Sequence, residues 1–243
     1  MIGDDVRSID WRASARRSDV IVRTWRPERD RRVLCVLDTG RTSAARVATT
    51  IGDQPLDEPR LDAAIDAALL LASLANHAGD RVDLLAIDTA VRAAVESGSS
   101  RSLLPRLVNA MAPLEPALVE TDFGLVAGEV LRRERKRAMV VLFTALEAGA
   151  LGEGLLPVLT QLTARHKVVV AAVHDPALVE LANRRGDAPG VYAAAAAHRT
   201  LAERDRLRAA LRRYEVEVID APADVFASRV ADAYLAMKAA GRL

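Results

Sequence analysis

Aromatic residues are scarce in this sequence: three Phe, two Trp and three Tyr among 243 residues. Any core must therefore be aliphatic, and a 51% hydrophobic content supplies enough material for a large one. Cysteine is nearly absent too. The single Cys35 excludes an internal disulfide and a cysteine-based zinc site, and it fits a reducing, cytoplasmic compartment. Flanked by Val33-Leu34 and Val36-Leu37, it reads as a buried small hydrophobe rather than a reactive thiol. No charge excess exists either: 34 Lys and Arg face 33 Asp and Glu, a net of +1. A dedicated nucleic-acid binder carries a basic surplus, so no nucleic-acid partner is expected. No run reaches the roughly 18 apolar residues that span a bilayer. Residues 191–197, Val-Tyr followed by five Ala, are too short. The start, Met1 to Arg12, holds Asp4, Asp5 and Asp10 and no apolar block, unlike a secretory signal.

Catalytic signatures are also missing. No phosphate-binding loop ending in Gly-Lys-Ser/Thr follows any apolar run, and neither Gly-x-Ser-x-Gly nor His-Glu-x-x-His occurs. Gly149, Gly152 and Gly154 follow a strand-like segment, but their spacing reverses the dinucleotide fingerprint, and a flexible loop accounts for them better. Of the four histidines, His77 falls at a helix end, His166 before a strand and His198 on a charged helix. His174, beside Asp175 at a strand's carboxyl end, is the one with scope for a site role, and a structural reading of it is favoured. The chain is not expected to be an enzyme.

What is present is an alternation of short apolar runs and helical patterns. Asp19 to Arg26 reads as an extended segment. Val33–Leu37, Arg81–Asp88, Ala138–Thr144, Lys167–Val173 and Glu215–Asp220 read as strands, most of them continuous apolar runs as fully buried parallel strands require. Thr89–Glu96 can fold back as an antiparallel edge. A loop through Gly52, Pro55 and Pro59 precedes a helix that Asp57 can cap, with Leu61, Ile65, Leu69 and Ala72 on one face and Gly79 as its stop. Further helices are expected over Ser100–Met111, from Thr121-Asp122 with Phe123, Val126, Val130 and Leu131 inward, over Leu151–Arg165, from Pro176, from about Pro189 to Tyr214, and over Pro222–Ala240. This pattern predicts an α/β fold: a doubly wound, mostly parallel, Rossmann-type sheet with helices on both faces and one antiparallel edge strand. Residues 31–243 form that domain, and residues 1–30 an N-terminal arm. In such a sheet the functional rim lies beyond the strands' carboxyl ends. There the sequence places Asp38-Thr39-Gly40-Arg41-Thr42, Thr121-Asp122 and Thr144-Ala145-Leu146-Glu147.

The arm carries the most specific motif. Gly3, Asp4, Asp5, Arg7, Ile9, Asp10, Trp11, Ala15 and Arg16 match a Gly-Asp-Asp-x-Arg-x-Ile-Asp-Trp-x-x-x-Ala-Arg pattern. It resembles the hallmark of domain-of-unknown-function family 58. The resemblance extends along the chain to Tyr234–Lys238, and it implies a von Willebrand factor A-like domain. Members of the family carry transmembrane helices ahead of the motif, so the chain resembles an N-terminally truncated member whose parent would sit at the cytoplasmic membrane. The resemblance also implies a metal-ion-dependent adhesion site, Asp-x-Ser-x-Ser plus a Thr and a later Asp. Mg²⁺ wants about six oxygen ligands, and an open position lets a partner's carboxylate complete the shell. Carried over, Asp38 matches the first Asp, Gly40 replaces the first Ser, Thr42 keeps a hydroxyl, Thr121 matches the Thr and Ala145 replaces the last Asp. Asp38, Thr42 and Thr121 are thus the candidate ligands of a degenerate site, with Mg²⁺ as the candidate cofactor.

The implied role is a protein-binding adaptor or scaffold acting with a MoxR-type AAA+ ATPase, docking through Asp38, Gly40, Thr42, Thr121, Asp122 and Glu147. The arm admits two readings. Arg7, Arg12, Arg16 and Arg17 could meet an acidic partner with Trp11 as anchor. Alternatively, Trp11 packs on the domain while the nearby aspartates pair with those arginines. A different functional class, a metal-dependent hydrolase or nuclease, would require Asp38, Asp122 and Glu147 to converge on shared ions.

Overall fold

The computed structural model describes residues 31–51, 54–98 and 102–243, of which Arg31–Leu243 belong to one compact unit. The arm motif (Gly3, Asp4, Asp5, Arg7, Asp10, Trp11 and Arg16), the extended reading of Asp19–Arg26 and both readings of the arm lie outside the described residues.

Strand β1, Arg32–Asp38, has a buried side chain at every position from Val33 onward. Its alternating side chains serve two different cores, which is why the run is apolar throughout rather than every second residue. Val33, Cys35 and Leu37 join one, and Leu34 and Val36 the other. Burial, with Asp83 adding a smaller electrostatic push, drives the Cys35 thiol up to about 12, so it packs as a hydrophobe.

The chain then makes a 3₁₀ turn over Arg41–Ala44 and a hairpin of β2, Arg46–Ile51, with β3, Gln54–Pro59. The hairpin corrects the loop expected there. Arg46 to Ile51 is rich in β-branched residues, and a separate two-stranded ladder tolerates Pro55 and Pro59 because its outer edges need no N–H. Helix α1, Arg60–His77, follows. Its N-cap is Pro59 rather than Asp57, whose carboxylate pairs with Arg46 across the hairpin at 3.0 Å. The buried stripe of α1 is also rotated from expectation. Leu61, Ala64, Ala68, Leu71 and Ala75 are buried, whereas Ile65 and Leu69 flank the core. Alanines let the helix axis approach its neighbours closely, so small side chains share the contact face with Leu61 and Leu71.

After α1 come β4, Arg81–Ile87, β5, Val91–Val95, α2, Leu103–Met111, and α3, Phe123–Arg133. Strand β6, Met139–Phe143, leads to a π-helical segment, Ala148–Leu155, and then α4, Leu156–Thr163. The expected flexible glycine loop is therefore a wide helical turn. At Gly154 a Cβ would come within 2.7 Å of the Phe123 ring, so glycine there is a matter of room. The remainder is β7, Lys167–Val173, α5, Ala177–Ala182, α6, Ala188–Arg213, β8, Glu217–Ala221, and α7, Ala223–Ala239.

Among the described residues the main sheet has six strands in the order β5-β4-β1-β6-β7-β8. All neighbours are parallel except β5, the antiparallel edge. Helices α1, α2 and α7 supply the core on one face, and α3, α4 and α6 the core on the other. The fold is therefore the doubly wound, mostly parallel α/β sheet that the sequence predicts. The chain moves outward from β1 to β4 and β5, then returns to β6 on the opposite side. The switch point consequently lies between β1 and β6, directly at Asp38. Among the described residues no helix is long and apolar enough to cross a membrane.

Candidate functional site

Asp38 closes β1, and its carboxylate is buried at the switch point. Among the described residues it accepts four hydrogen bonds from three separate segments. On the loop after β1, Gly40 N donates to Oδ1 at 2.8 Å and Thr42 Oγ1 to Oδ2 at 3.1 Å. Thr121 Oγ1, ahead of α3, donates to Oδ1, and Thr144 Oγ1, one residue beyond β6, donates to Oδ2 at 2.6 Å. The geometry thus gathers Asp38, Gly40, Thr42 and Thr121, and adds Thr144.

Backbone hydrogen bonds lock the same loops. Arg41 N donates to the Val119 carbonyl at 2.8 Å, and Ala117 N to the Thr39 carbonyl at 2.7 Å. Gly40 is needed for this closeness, since a Cβ there would collide with Thr121 Oγ1 and approach the Val119 carbonyl to 2.8 Å. The Gly that replaces a Ser of the adhesion motif is therefore explained by packing between loops. Ser43 turns its hydroxyl inward to the Gly40 carbonyl at 2.6 Å.

A second buried carboxylate stands beside the first. Asp88, one residue past β4, accepts from Thr39 Oγ1 at 3.0 Å and from Arg92 Nε at 2.7 Å. Thr89 N and Ala90 N donate to it as well. Burial alone would raise its pKa, but the hydrogen bonds from Arg92, Ala90, Thr39 and Thr89 outweigh that and hold it down to about 2. Its backbone carbonyl accepts from Asp122 N at 3.1 Å, which ties the start of α3 to the same rim.

The other carboxylates weighed in the sequence are engaged elsewhere. Asp122 caps α3 by accepting from Leu125 N at 2.9 Å. Glu147 pairs with Arg60 Nη1 at 2.8 Å, and the same nitrogen lies 3.3 Å from the Thr42 carbonyl. His174 Nδ1 lies 2.8 Å from Asp220 Oδ1, and Arg204 and Arg208 also grip that aspartate. His174 thereby shares a buried aspartate with two arginines.

As an ion-binding set, the residues around Asp38 do not fit a divalent cation. The Asp38 carboxylate already serves four donors, Asp88 is held by Thr39, Arg92 and its own turn, and Ala145 is buried where the motif has an Asp. No group of three or more His, Cys, Asp or Glu side chains among the described residues is gathered closely enough to hold a metal. For the same reason Asp38, Asp122 and Glu147 do not form a two-ion centre. The rim instead offers hydroxyls, backbone groups and the exposed Arg41–Glu120 pair. Beside it opens a cavity of about 720 Å³, lined in part by Arg46, Arg60, Glu147, Asp175, Arg184 and Arg204. The sequence places Thr144 on the rim without a role in the site and gives no place to Asp88. Each is the first polar residue after an apolar strand, a position that becomes informative once β4 and β6 are known to flank β1.

A family model described as "Protein of unknown function DUF58" matches residues 1–217. The chain is similar to the uncharacterized proteins Mb1516 of Mycobacterium bovis and Rv1480 of Mycobacterium tuberculosis. To each it is 28% identical over 182 residues, 74% of this chain and 54% of the relative. The chain spans about half the length of the curated relatives it matches. Among solved structures, the PilB minor pilin from Streptococcus sanguinis matches with a TM-score of 0.51 at 9% identity, covering 92% of this chain and 64% of the pilin. The VWA domain of SpRpn10 matches with a TM-score of 0.45 at 12% identity, covering 84% of this chain and 94% of that domain.

Proposed function

The chain belongs to the DUF58 family, and we propose that it is a non-catalytic adaptor or scaffold that binds a partner protein through the rim around Asp38. The von Willebrand factor A-like fold that the family resemblance implies is compatible with a protein-interaction role. The observation that carries the reading is the Asp38 carboxylate, which fastens three loops into one surface. A surface fixed in advance loses little conformational entropy on docking, and this favours a binding role. The rim's buried carboxylates are consumed in holding loops, so none is free to act as a general base. The adjoining cavity is lined by both signs of charge and suits side chains that project from a docked partner.

The partner we propose is a MoxR-type AAA+ ATPase, as the family resemblance implies. Docking requires no metal at Asp38. The test is a binding titration of the cognate ATPase against rim variants, with thermal melts to show that each variant folds. Glu120→Arg and Thr121→Arg change the rim, whereas Leu235→Ser alters an exposed position on α7. Both rim changes should weaken binding by about tenfold or more, and Leu235→Ser should leave it unchanged. Equal binding by the native chain and both rim variants would remove the rim as the interface.

A further inference from the structure

A second surface lies along the outer edge of the sheet. Strand β8 pairs with β7 on one side, and among the described residues no strand pairs with its other side. An open edge presents backbone N–H and C=O groups to any extended chain that reaches it. Two hollows meet there at Val218. One, of about 460 Å³, runs along Val218–Pro222 and is bordered by Val225, Arg229, Asp232, Ala233 and Ala236 of α7. The other, of about 610 Å³, continues past Glu217 toward the amino end of the sheet. Together they follow the strand for its whole length.

The second hollow is cationic. Arg137, Lys167, Arg212 and Arg242 line it, against Glu215 and Glu217. None of those four cations forms an ion pair among the described residues, and Lys167 Nζ donates to the Glu215 carbonyl at 3.0 Å. Arg135, Lys136, Arg165 and Arg213 are exposed on nearby segments at the same end. Elsewhere the arginines are largely spent on carboxylates, as with Arg32 on Glu134, Arg60 on Glu147 and Arg204 on Asp220.

We propose that the free edge of β8 takes up an extended acidic segment of a partner protein as an added strand, with its carboxylates toward Arg137, Lys167, Arg212 and Arg242. Main-chain hydrogen bonds supply the attachment, and the cationic end sets direction and register. One exposed aromatic, Tyr214, stands beside this hollow among the described residues, whereas single-stranded nucleic acid is held by successive stacking faces. This surface lies on the edge of the sheet rather than on the rim, and it gives an adaptor a second point of attachment.

The test is an NMR titration of the ¹⁵N-labelled chain with a blocked Glu-Val-Glu-Val-Glu-Val peptide. Parallel arms use the Lys-Val counterpart, an N-methylated Glu-Val peptide and phosphatidylserine vesicles. Amide shifts concentrated at Glu217–Ala221 are expected with the Glu-Val peptide and not with its Lys counterpart. Affinity should fall about tenfold or more for the N-methylated peptide and for the Arg212→Glu, Arg242→Glu double variant. Both arginines are exposed, so the double variant should keep its melting temperature. Equal binding of the N-methylated peptide, shifts located away from β8, binding to vesicles with none to peptide, or edge-to-edge dimerisation of the chain would each overturn the proposal. The titration contains no ATPase, so its failure and a failure of the rim reading are separately visible.

Discussion

At the scale of single residues, Asp38 is the centre of the account, and its burial makes it sensitive to small changes. Asn in its place keeps the shape but turns an amide toward groups that donate. Asp38→Asn should therefore lower stability by about 1–3 kcal/mol, read as a reduced urea midpoint. Gly40→Ala should cost a similar amount, about 1–3 kcal/mol, because the loop before α3 must retreat from the new methyl. Asp88 gives a pH signature. Its folded-state pKa of about 2 lies below the unfolded carboxylate value, so it contributes stability above about pH 4 that is lost as pH falls toward 2. Arg92→Gln removes a charged donor and should move the acid-unfolding midpoint upward, as followed by circular dichroism. An unchanged midpoint would mean that Arg92 does not set the charge state of Asp88.

At the scale of elements, the strands were legible because a buried parallel strand is a short, continuous apolar run bounded by charge. The β2–β3 hairpin was not legible, since Pro55, Pro59 and Gly52 resemble loop signals and a detached ladder has no long apolar run. The buried stripe of α1 is hard to read for a related reason: alanines share it with Leu61 and Leu71, and an alanine carries little hydrophobic signal of its own. Part of the site could be read in advance. Asp38, Gly40, Thr42 and Thr121 stood out through a spaced motif, and the structure brings them together. Asp88 did not stand out, and Thr144 did so only as part of the rim segment, because a single polar residue after a strand acquires meaning from which strands become neighbours. The π-helical segment yields a paired prediction. Gly154→Ala should destabilise by about 1–3 kcal/mol through the Phe123 ring, whereas Gly152→Ala, with open space around it, should be neutral or stabilising by up to about 1 kcal/mol. Thermal melts of the two variants separate these effects, and equal melts would show that Phe123 yields.

At the scale of the whole molecule, near-zero net charge conceals a segregation that the fold explains. In a doubly wound sheet the helices that follow parallel strands begin at the carboxyl end and finish at the amino end. Their dipoles favour acids at the first end and bases at the second. Asp122 and Asp187 cap α3 and α6, and Asp62 and Asp224 sit in the first turns of α1 and α7. Arg132, Arg133, Arg212, Arg213 and Lys238 occupy final turns. The result is a loop-locked rim of mixed charge at one end and a basic margin at the other, reached along β8. The rim is tested by a pull-down of the proposed partner, a MoxR-type ATPase pre-assembled so that its own Mg²⁺ requirement is met, with and without EDTA in the binding buffer. Equal retention in both buffers is expected, because protein donors already occupy the Asp38 carboxylate. Retention that vanishes with EDTA would contradict the metal-free rim, and no retention in either buffer would contradict the adaptor role itself.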